Sequence, residues 1–317
     1  MLDWLKLGGS EFPKVKMRYY SDNYRGVHAS QNIKSGETFI FVPLHQIITL
    51  EMAFRTPIGK QMYEKGLRNK LISPKHSFLG SYILQERKKD HSDFDTYLDI
   101  LPKGLREFPI FFGEDEYKFL KGSPFLDQIK EKNEDIKIDY DLICKEVPDF
   151  EQFTLDEYKE VRILVSSRIF GITVNGVKTD GFVPLADMLN HRRPKQSSWY
   201  FDDNRQGFVI EATEDILRGE QIYDSYGRKC NSRFFLNYGF INPNNDANEV
   251  PIYVKFSQSD PGYDIKVKLR NDRKDFQKFR VVDNLHEQVM NDFLGFIRYQ
   301  SYDGDLAYLY LAKNNAN

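Results

Sequence analysis

The residues able to do chemistry gather between Ser166 and Phe240, in four short patterns. They are Ser167-Arg168-Ile169-Phe170; Pro184-Leu185-Ala186-Asp187-Met188-Leu189-Asn190-His191; Gly219-Glu220-Gln221-Ile222-Tyr223-Asp224-Ser225-Tyr226-Gly227; and Asn237-Tyr238-Gly239-Phe240. Taken singly, each has an ordinary reading. His191, after an apolar stretch, suits a histidine satisfied by core hydrogen bonds, Tyr223 and Tyr226 suit packed aromatics at a strand end, and Asp187 suits a turn tie. A zinc site needs three or four ligands, and His191 with Asp187 supplies two at most. A Ser-His-Asp hydrolase is allowed by composition, but no Gly-x-Ser-x-Gly elbow presents the serine.

These patterns need elements to hold them. Val27 lies in a strand, Ile33-Lys34-Ser35-Gly36-Glu37 reads as a turn, and Thr38 to Val42 reads as a second strand stopped by Pro43. Residues 45 to 160 read as mostly helical, punctuated at Ser73-Pro74, Leu101-Pro102, Gly113 and Gly122-Ser123-Pro124. Within them the Lys-, Glu- and Asp-rich run from Ile129 to Asp141 reads as a solvated helix face. Thr154 and Glu157 have the spacing of a capping box opening a helix that runs to about Ile169. From 172 to 226 short strands return, with turns at Asn175-Gly176, Asp202-Asp203-Asn204 and Arg218-Gly219, and 284 to 312 reads as helix. Strand segments split by more than 100 helical residues predict an α+β fold with an inserted lobe.

Composition narrows the function classes. The chain has 317 residues, of which 45 are Lys or Arg and 47 Asp or Glu, a net charge of -2. A protein that grips phosphates normally carries a basic excess, so no nucleic-acid partner is expected. The most apolar short runs, such as Phe39 to Pro43, fall far below the ~20 residues that span a bilayer, and no membrane partner is expected. Met1-Leu2-Asp3-Trp4 does not read as a signal peptide. Two cysteines, Cys144 and Cys230, without a Cys-x-x-Cys pair, argue against a cysteine zinc site or a disulfide framework. A soluble, monomeric protein of a reducing compartment follows, placed in the cytoplasm. The nucleus stays open, because Arg87-Lys88-Lys89 and Arg192-Arg193 are too brief to be an address. The 25 Phe and 19 Tyr fit an ordered chain with aromatic-lined pockets.

In this order, the four patterns resemble the SET-domain protein methyltransferases. In that family an Asn-His pair and a Tyr preceding a Gly meet through a threaded, pseudoknot-like crossing, rare among folds. Asn190-His191 and Tyr223 to Gly227 match those segments, and Arg25-Gly26-Val27-His28-Ala29 with Ile33 to Glu37 matches the opening strand and turn. Phe94 to Pro102 and Pro109-Ile110-Phe111-Phe112 resemble the helical insert of the subfamily that holds Rubisco large-subunit lysine methyltransferase and the actin-histidine methyltransferase. That subfamily lacks the cysteine-rich zinc cluster that follows many histone-type SET domains. The resemblance divides the chain into an N-terminal part of the SET domain (1–60), the helical insert (61–160), the C-terminal catalytic part (161–243) and a partial substrate-binding lobe (244–317). Subfamily members carry a longer, all-helical lobe, of which only the beginning, near Asn284 to Leu311, is expected here.

The resemblance implies S-adenosylmethionine as cofactor, S-adenosylhomocysteine as product, no metal, and a protein substrate. Tyr226 matches the catalytic tyrosine. Arg25, Gly26, Val27, Arg168, Asn190 and His191 match cofactor contacts, and Phe170, Asp187, Tyr238 and Phe240 fall on the substrate side. A salt bridge between Arg168 and Asp187 is an equally direct reading of that pair. A lysine acceptor must arrive neutral, which at pH 7 costs roughly 4–5 kcal/mol, and an aromatic, dry channel lowers that cost. A histidine acceptor is already largely neutral and needs hydrogen bonds to fix its ring. The actin-histidine branch carries Asn at the position of Phe170 and Trp at that of Ala186, so this chain follows the lysine pattern. Phe240, without a hydroxyl to hold the amine back, implies that more than one methyl can be added. The alternatives are a protein-histidine methyltransferase and a catalytically silent SET module used for binding.

Overall fold

A computed structural model of the chain describes residues 1–21, 24–260, 262–270, 274–282 and 287–302. In chain order the elements are α1 (Leu2–Leu7), β1 (Val15–Tyr19), β2 (Arg25–Ala29), β3 (Thr38–Pro43), β4 (Ile48–Thr49), α2 (Leu50–Arg55), α3 (Pro57–Glu64), α4 (Pro74–Arg87), α5 (Asp95–Leu98), α6 (Glu114–Tyr117), α7 (Pro124–Glu146) and α8 (Leu155–Arg168). There follow β5 (Ile169–Val174), β6 (Val177–Phe182), β7 (Asn190–His191), β8 (Ser197–Asp202), β9 (Gly207–Ala212), β10 (Gln221–Asp224), α9 (Asn231–Tyr238), β11 (Glu249–Lys255), α10 (Tyr263–Leu269), β12 (Phe276–Val282) and α11 (Glu287–Ser301). The α+β expectation holds.

Local chemistry accounts for several boundaries. Pro74 opens α4 at a position where its missing N–H costs nothing, and Gly113 precedes α6. Thr154 accepts from the Glu157 amide while Glu157 reaches back to the Thr154 amide, so α8 starts with the expected capping box and ends at Arg168. Asn175 and Gly176 both take positive φ, 49° and 79°, the twist that a two-residue turn needs to join β5 to β6 as a hairpin.

The strands form three small sheets in the first of two compact units, which comprises residues 1–121, 125–227 and 233–240. One sheet has the order β3-β9-β8, another β4-β6-β5, and the third β1-β2-β10-β7. The two strands flanking the Ile33 to Glu37 turn do not pair with each other: β2 lies between β1 and β10, and β3 pairs with β9. Strand β10 sits between β2, antiparallel to it, and β7, parallel to it. Among the helices, α4 is buried over most of its circumference from Ser77 to Leu84, and Gly80 lets Val161 of α8 approach to where a Cβ would meet it at 3.1 Å.

The charged run on α7 departs from the expected solvated face. Asp139 has no exposed side chain and accepts from four donors: the amides of Ile72 and Ser73, the Ser77 hydroxyl and the Arg162 guanidinium, at 2.7 to 3.1 Å. Tyr158 completes this network through Ser77 and Arg162. A carboxylate with four donors has its lost hydration replaced, which is the condition for burying a charge.

The second unit comprises residues 122–124, 228–232 and 241–317. In its described part it joins two helices, α10 and α11, to a pair of strands. β11 and β12 pair antiparallel over seven rungs from Glu249–Val282 to Lys255–Phe276. Phe256, Phe279 and Phe296 form a small core there, with Val254, Tyr263, Val267, Phe293 and Tyr299 packed on it. The helix expected over 284–312 is seen as Glu287–Ser301; residues 284–286 and 303–312 lie outside the described residues.

Candidate active site

Two two-rung pairings bring distant segments together. Gln221 and Ile222 of β10 face His28 and Val27 of β2, while Tyr223 and Asp224 face Asn190 and His191 of β7. The segments singled out in the sequence, 25–29, 190–191 and 221–227, therefore meet in one sheet. Asn190 Nδ2 donates to the Arg25 carbonyl at 2.9 Å and to Gln221 Oε1 at 2.7 Å. Gly26 makes this possible. A Cβ there would lie 2.4 Å from Gln221 Oε1 and 3.1 Å from Asn190 Nδ2, so any side chain would force the two amides away. Val27 is fully buried beneath them.

Tyr226 follows directly. Its O–H donates to the Leu189 carbonyl at 2.7 Å and its backbone N–H donates to His191 Nδ1 at 3.0 Å. Because His191 accepts at Nδ1, its neutral ring carries the proton on Nε2. Burial pushes the Tyr226 phenol well above its ordinary value, against the pull of Arg168, so the hydroxyl keeps its proton at neutral pH. Around it stand stacked rings. Tyr238 lies 5.0 Å from Tyr226 at 18°, His191 lies 5.2 Å from it, and Phe240 and Phe234 pack on His191 at 6.1 and 4.7 Å. Tyr238 and Phe234 are one helical turn apart on α9, which aims both rings back at β7 and β10.

Behind this wall lies a charged cluster. Arg168, the last residue of α8, pairs with Asp187 at 3.0 Å and donates also to the Asp187 carbonyl at 3.1 Å. The Asp187 side chain has no exposed surface and accepts from the Tyr97 hydroxyl at 2.9 Å. Burial pushes its carboxyl up, against Arg168 and Tyr97. The Arg25 guanidinium donates to the Ile100 carbonyl at 2.6 Å and to Met188 Sδ at 3.2 Å. The insert segment around Tyr97 and Ile100 thus braces the site directly.

The structure brings together Arg25, Gly26, Val27, Asn190, His191, Tyr226, Tyr238 and Phe240. Arg168 and Asp187 form their own buried pair, so Asp187 faces Arg168 and Tyr97 in place of solvent. Phe170 stands apart from the ring stack. Its ring packs edge-on against Trp199 at 5.4 Å and Phe208 at 5.2 Å, on β8 and β9. Sequence reasoning missed Gln221, Tyr97, Met188 and Phe234. Of these, Met188 and Gln221 lie inside the patterns themselves, and Phe234 has a local signal in its four-residue spacing from Tyr238 in the same helix.

The SET domain model matches residues 24–227 of the chain. The actin-histidine N-methyltransferase of Rhinolophus ferrumequinum is 27% identical over 281 residues, covering 85% of this chain and 46% of that protein, and the Homo sapiens protein of the same name is 26% identical with the same coverage. The chain therefore spans about half the length of the curated relatives it matches. Among solved structures, the SET domain of LSMT bound to lysine and AdoHcy superimposes with a TM-score of 0.79 at 22% identity, covering 97% of this chain and 71% of that one. Rubisco LSMT bound to AdoMet gives a TM-score of 0.78 at 24% identity over the same shares. These are the proteins of the branch whose motifs the sequence resembles. With most of its residues inside the matched domain, this chain belongs to the SET-domain family.

Proposed function

We propose that the protein is an S-adenosylmethionine-dependent protein methyltransferase that acts on a lysine side chain. The observation that carries this is the meeting of Asn190-His191 with Tyr226 through the β7–β10 rungs, with the Tyr226 hydroxyl anchored on Leu189. The residues present fit the cofactor. Asn190 and Gln221 set their amide groups against the side-chain-free backbone of Gly26, and the buried Arg168 Nε has no hydrogen-bond partner among the described residues. Arg25, Gly26, Val27, Arg168, Asn190 and His191 would hold it. S-adenosylmethionine supplies a methyl group on a sulfonium sulfur. The chain's part is to hold an acceptor in line, exclude water and leave oxygens toward which positive charge is tolerated. Tyr226, kept protonated and fixed at both its amide and its hydroxyl, presents such an oxygen.

The lysine reading is supported by the wall of Tyr226, Tyr238, Phe234 and Phe240, which disfavours an ammonium. By resemblance, Phe170 and Ala186 match the lysine-modifying branch, where the actin-histidine branch carries Asn and Trp. Histidine is the second reading, favoured by the names of the relatives. Labelling of a cell lysate with radioactive methyl donor, followed by peptide sequencing of labelled proteins, tests both. Label on lysine supports the proposal, and label on histidine replaces it. Tyr226→Phe should lower the labelling rate at least about tenfold. A binding-only module would give no label, although the cofactor at 100 times its dissociation constant would still stabilise it by ~2.7 kcal/mol.

A further inference from the structure

A cleft of 320 Å³ opens in the first unit between α4, α7, α8 and α9, lined among others by His76, Lys132, Asp135, Arg162 and Asn237. Lys132, from the run expected to be solvated, turns into it. Its Nζ donates to Asn237 Oδ1 at 2.6 Å, and the Asn237 amide donates in turn to the Arg233 carbonyl one turn earlier in α9. Asn237 immediately precedes Tyr238, whose ring stacks on Tyr226. Gly239, with φ +76°, then turns the chain so closely past Phe108 that a Cβ would meet that ring at 2.8 Å. The end of α9 thus carries a hydrogen bond from Lys132 at Asn237 and is followed at once by the close approach of Gly239 to Phe108.

We propose that Lys132 is a positioning residue for the aromatic wall: its hydrogen bond to Asn237 fixes the end of α9 so that Tyr238 stays stacked on Tyr226. The effect on turnover rests on the methyltransferase reading; the effect on α9 does not. The tie also depends on proton occupancy. Burial, helped by the Arg162 charge, pulls the Lys132 amine down to about 7. A charged amine donates a hydrogen bond roughly twice as strong as a neutral one, so the tie is firm below pH 7 and slackens above it. The other groups around the amine are His76 from α4, held down to about 3 by burial and by Arg162, and Arg162 and Ser166 from α8. From α7 itself come Glu131 and Asp135, the latter pushed up by burial and by Glu131 and Asp139.

The test compares wild type with Lys132→Met and Asn237→Leu. In the amide NMR spectrum, the signals of Asn237 to Gly239 should move with a midpoint near pH 7 in wild type and lose that transition in both variants. Signals flat with pH in wild type overturn the proposal whatever the enzyme's substrate. On the substrate found by labelling, Lys132→Met should lower the maximal rate about tenfold at pH 6.5 and clearly less at pH 9, with the melting temperature unchanged or raised. The ratio of the two enzymes cancels the acceptor's own titration. A ratio constant with pH, or a loss that follows lost stability, makes Lys132 a structural residue and overturns the proposal. Absence of labelling by wild type sinks the methyltransferase reading and leaves the NMR result to decide on the tie.

Discussion

Asp187 shows what a single buried carboxylate does in this chain. It accepts from the Arg168 guanidinium and from the Tyr97 hydroxyl, and so fixes the end of α8 against the insert. Removing the charge leaves Arg168 buried opposite a neutral group, a situation that costs roughly 3–5 kcal/mol in other proteins. Asp187→Asn should therefore lower the unfolding free energy by about 3 kcal/mol in urea titrations, and a loss below about 0.5 kcal/mol would show that the pair is not the brace described. Residue identity was readable here in the sequence. Asn190, His191 and Tyr226 occur in patterns specific enough to name a family, and the Arg168–Asp187 bridge was one of two readings open for that pair. Partners from other segments were not readable. Tyr97 reaches the site from far along the chain, Met188 and Gln221 lie inside the patterns but take partners at Arg25 and Asn190, and Phe170 meets Trp199 and Phe208 by packing between two different sheets, which no local pattern encodes.

At the scale of the element, α8 runs from a capping box at Thr154 to the site at Arg168. Thr154→Ala should cost about 1 kcal/mol, as cap deletions generally do, with the loss appearing in the denaturation midpoint. No change there would mean that tertiary packing alone sustains the helix start. This boundary was legible because capping is a contact between residues three apart. The run on α7 was misread for the converse reason. Charge density suggests solvent, yet Asp139 and Lys132 face inward toward Arg162 and Asn237, partners supplied by α8 and α9. Burial of a charge depends on donors that only the folded chain assembles. The strands β11 and β12, for which the sequence carried no expectation, likewise depend on each other across some 20 residues.

For the whole molecule, one buried base, His76, contributes to the response to acid. His76 is held down to about 3 by burial and by neighbouring cations, whereas an unfolded histidine titrates near 6.5. Above pH 6.5 it is neutral in both states and costs nothing. Between 6.5 and 3 the unfolded chain takes up a proton that the folded one refuses, so stability is lost as the pH falls. The contribution is about 2 kcal/mol between pH 7 and pH 5. The drop in unfolding free energy over that interval should be smaller by about that amount in His76→Gln. Parallel drops in the two proteins would mean that His76 protonates freely in the fold.

The two-rung pairing of β10 with β2 and β7 also has a consequence for synthesis. Its partners are drawn from the first tenth and the middle of the chain, and β10 comes after both. A nascent chain that has emerged only through β9 can build the helical insert and the β3-β9-β8 sheet. It leaves β2 and β7 without the strand that joins them. Closing such distant contacts is slow compared with forming helices, and Tyr238 and Phe240 follow later still. The site is therefore among the last parts of the unit to exist on the ribosome, and until then the half-built edge is open to whatever chaperone or partner binds exposed strands.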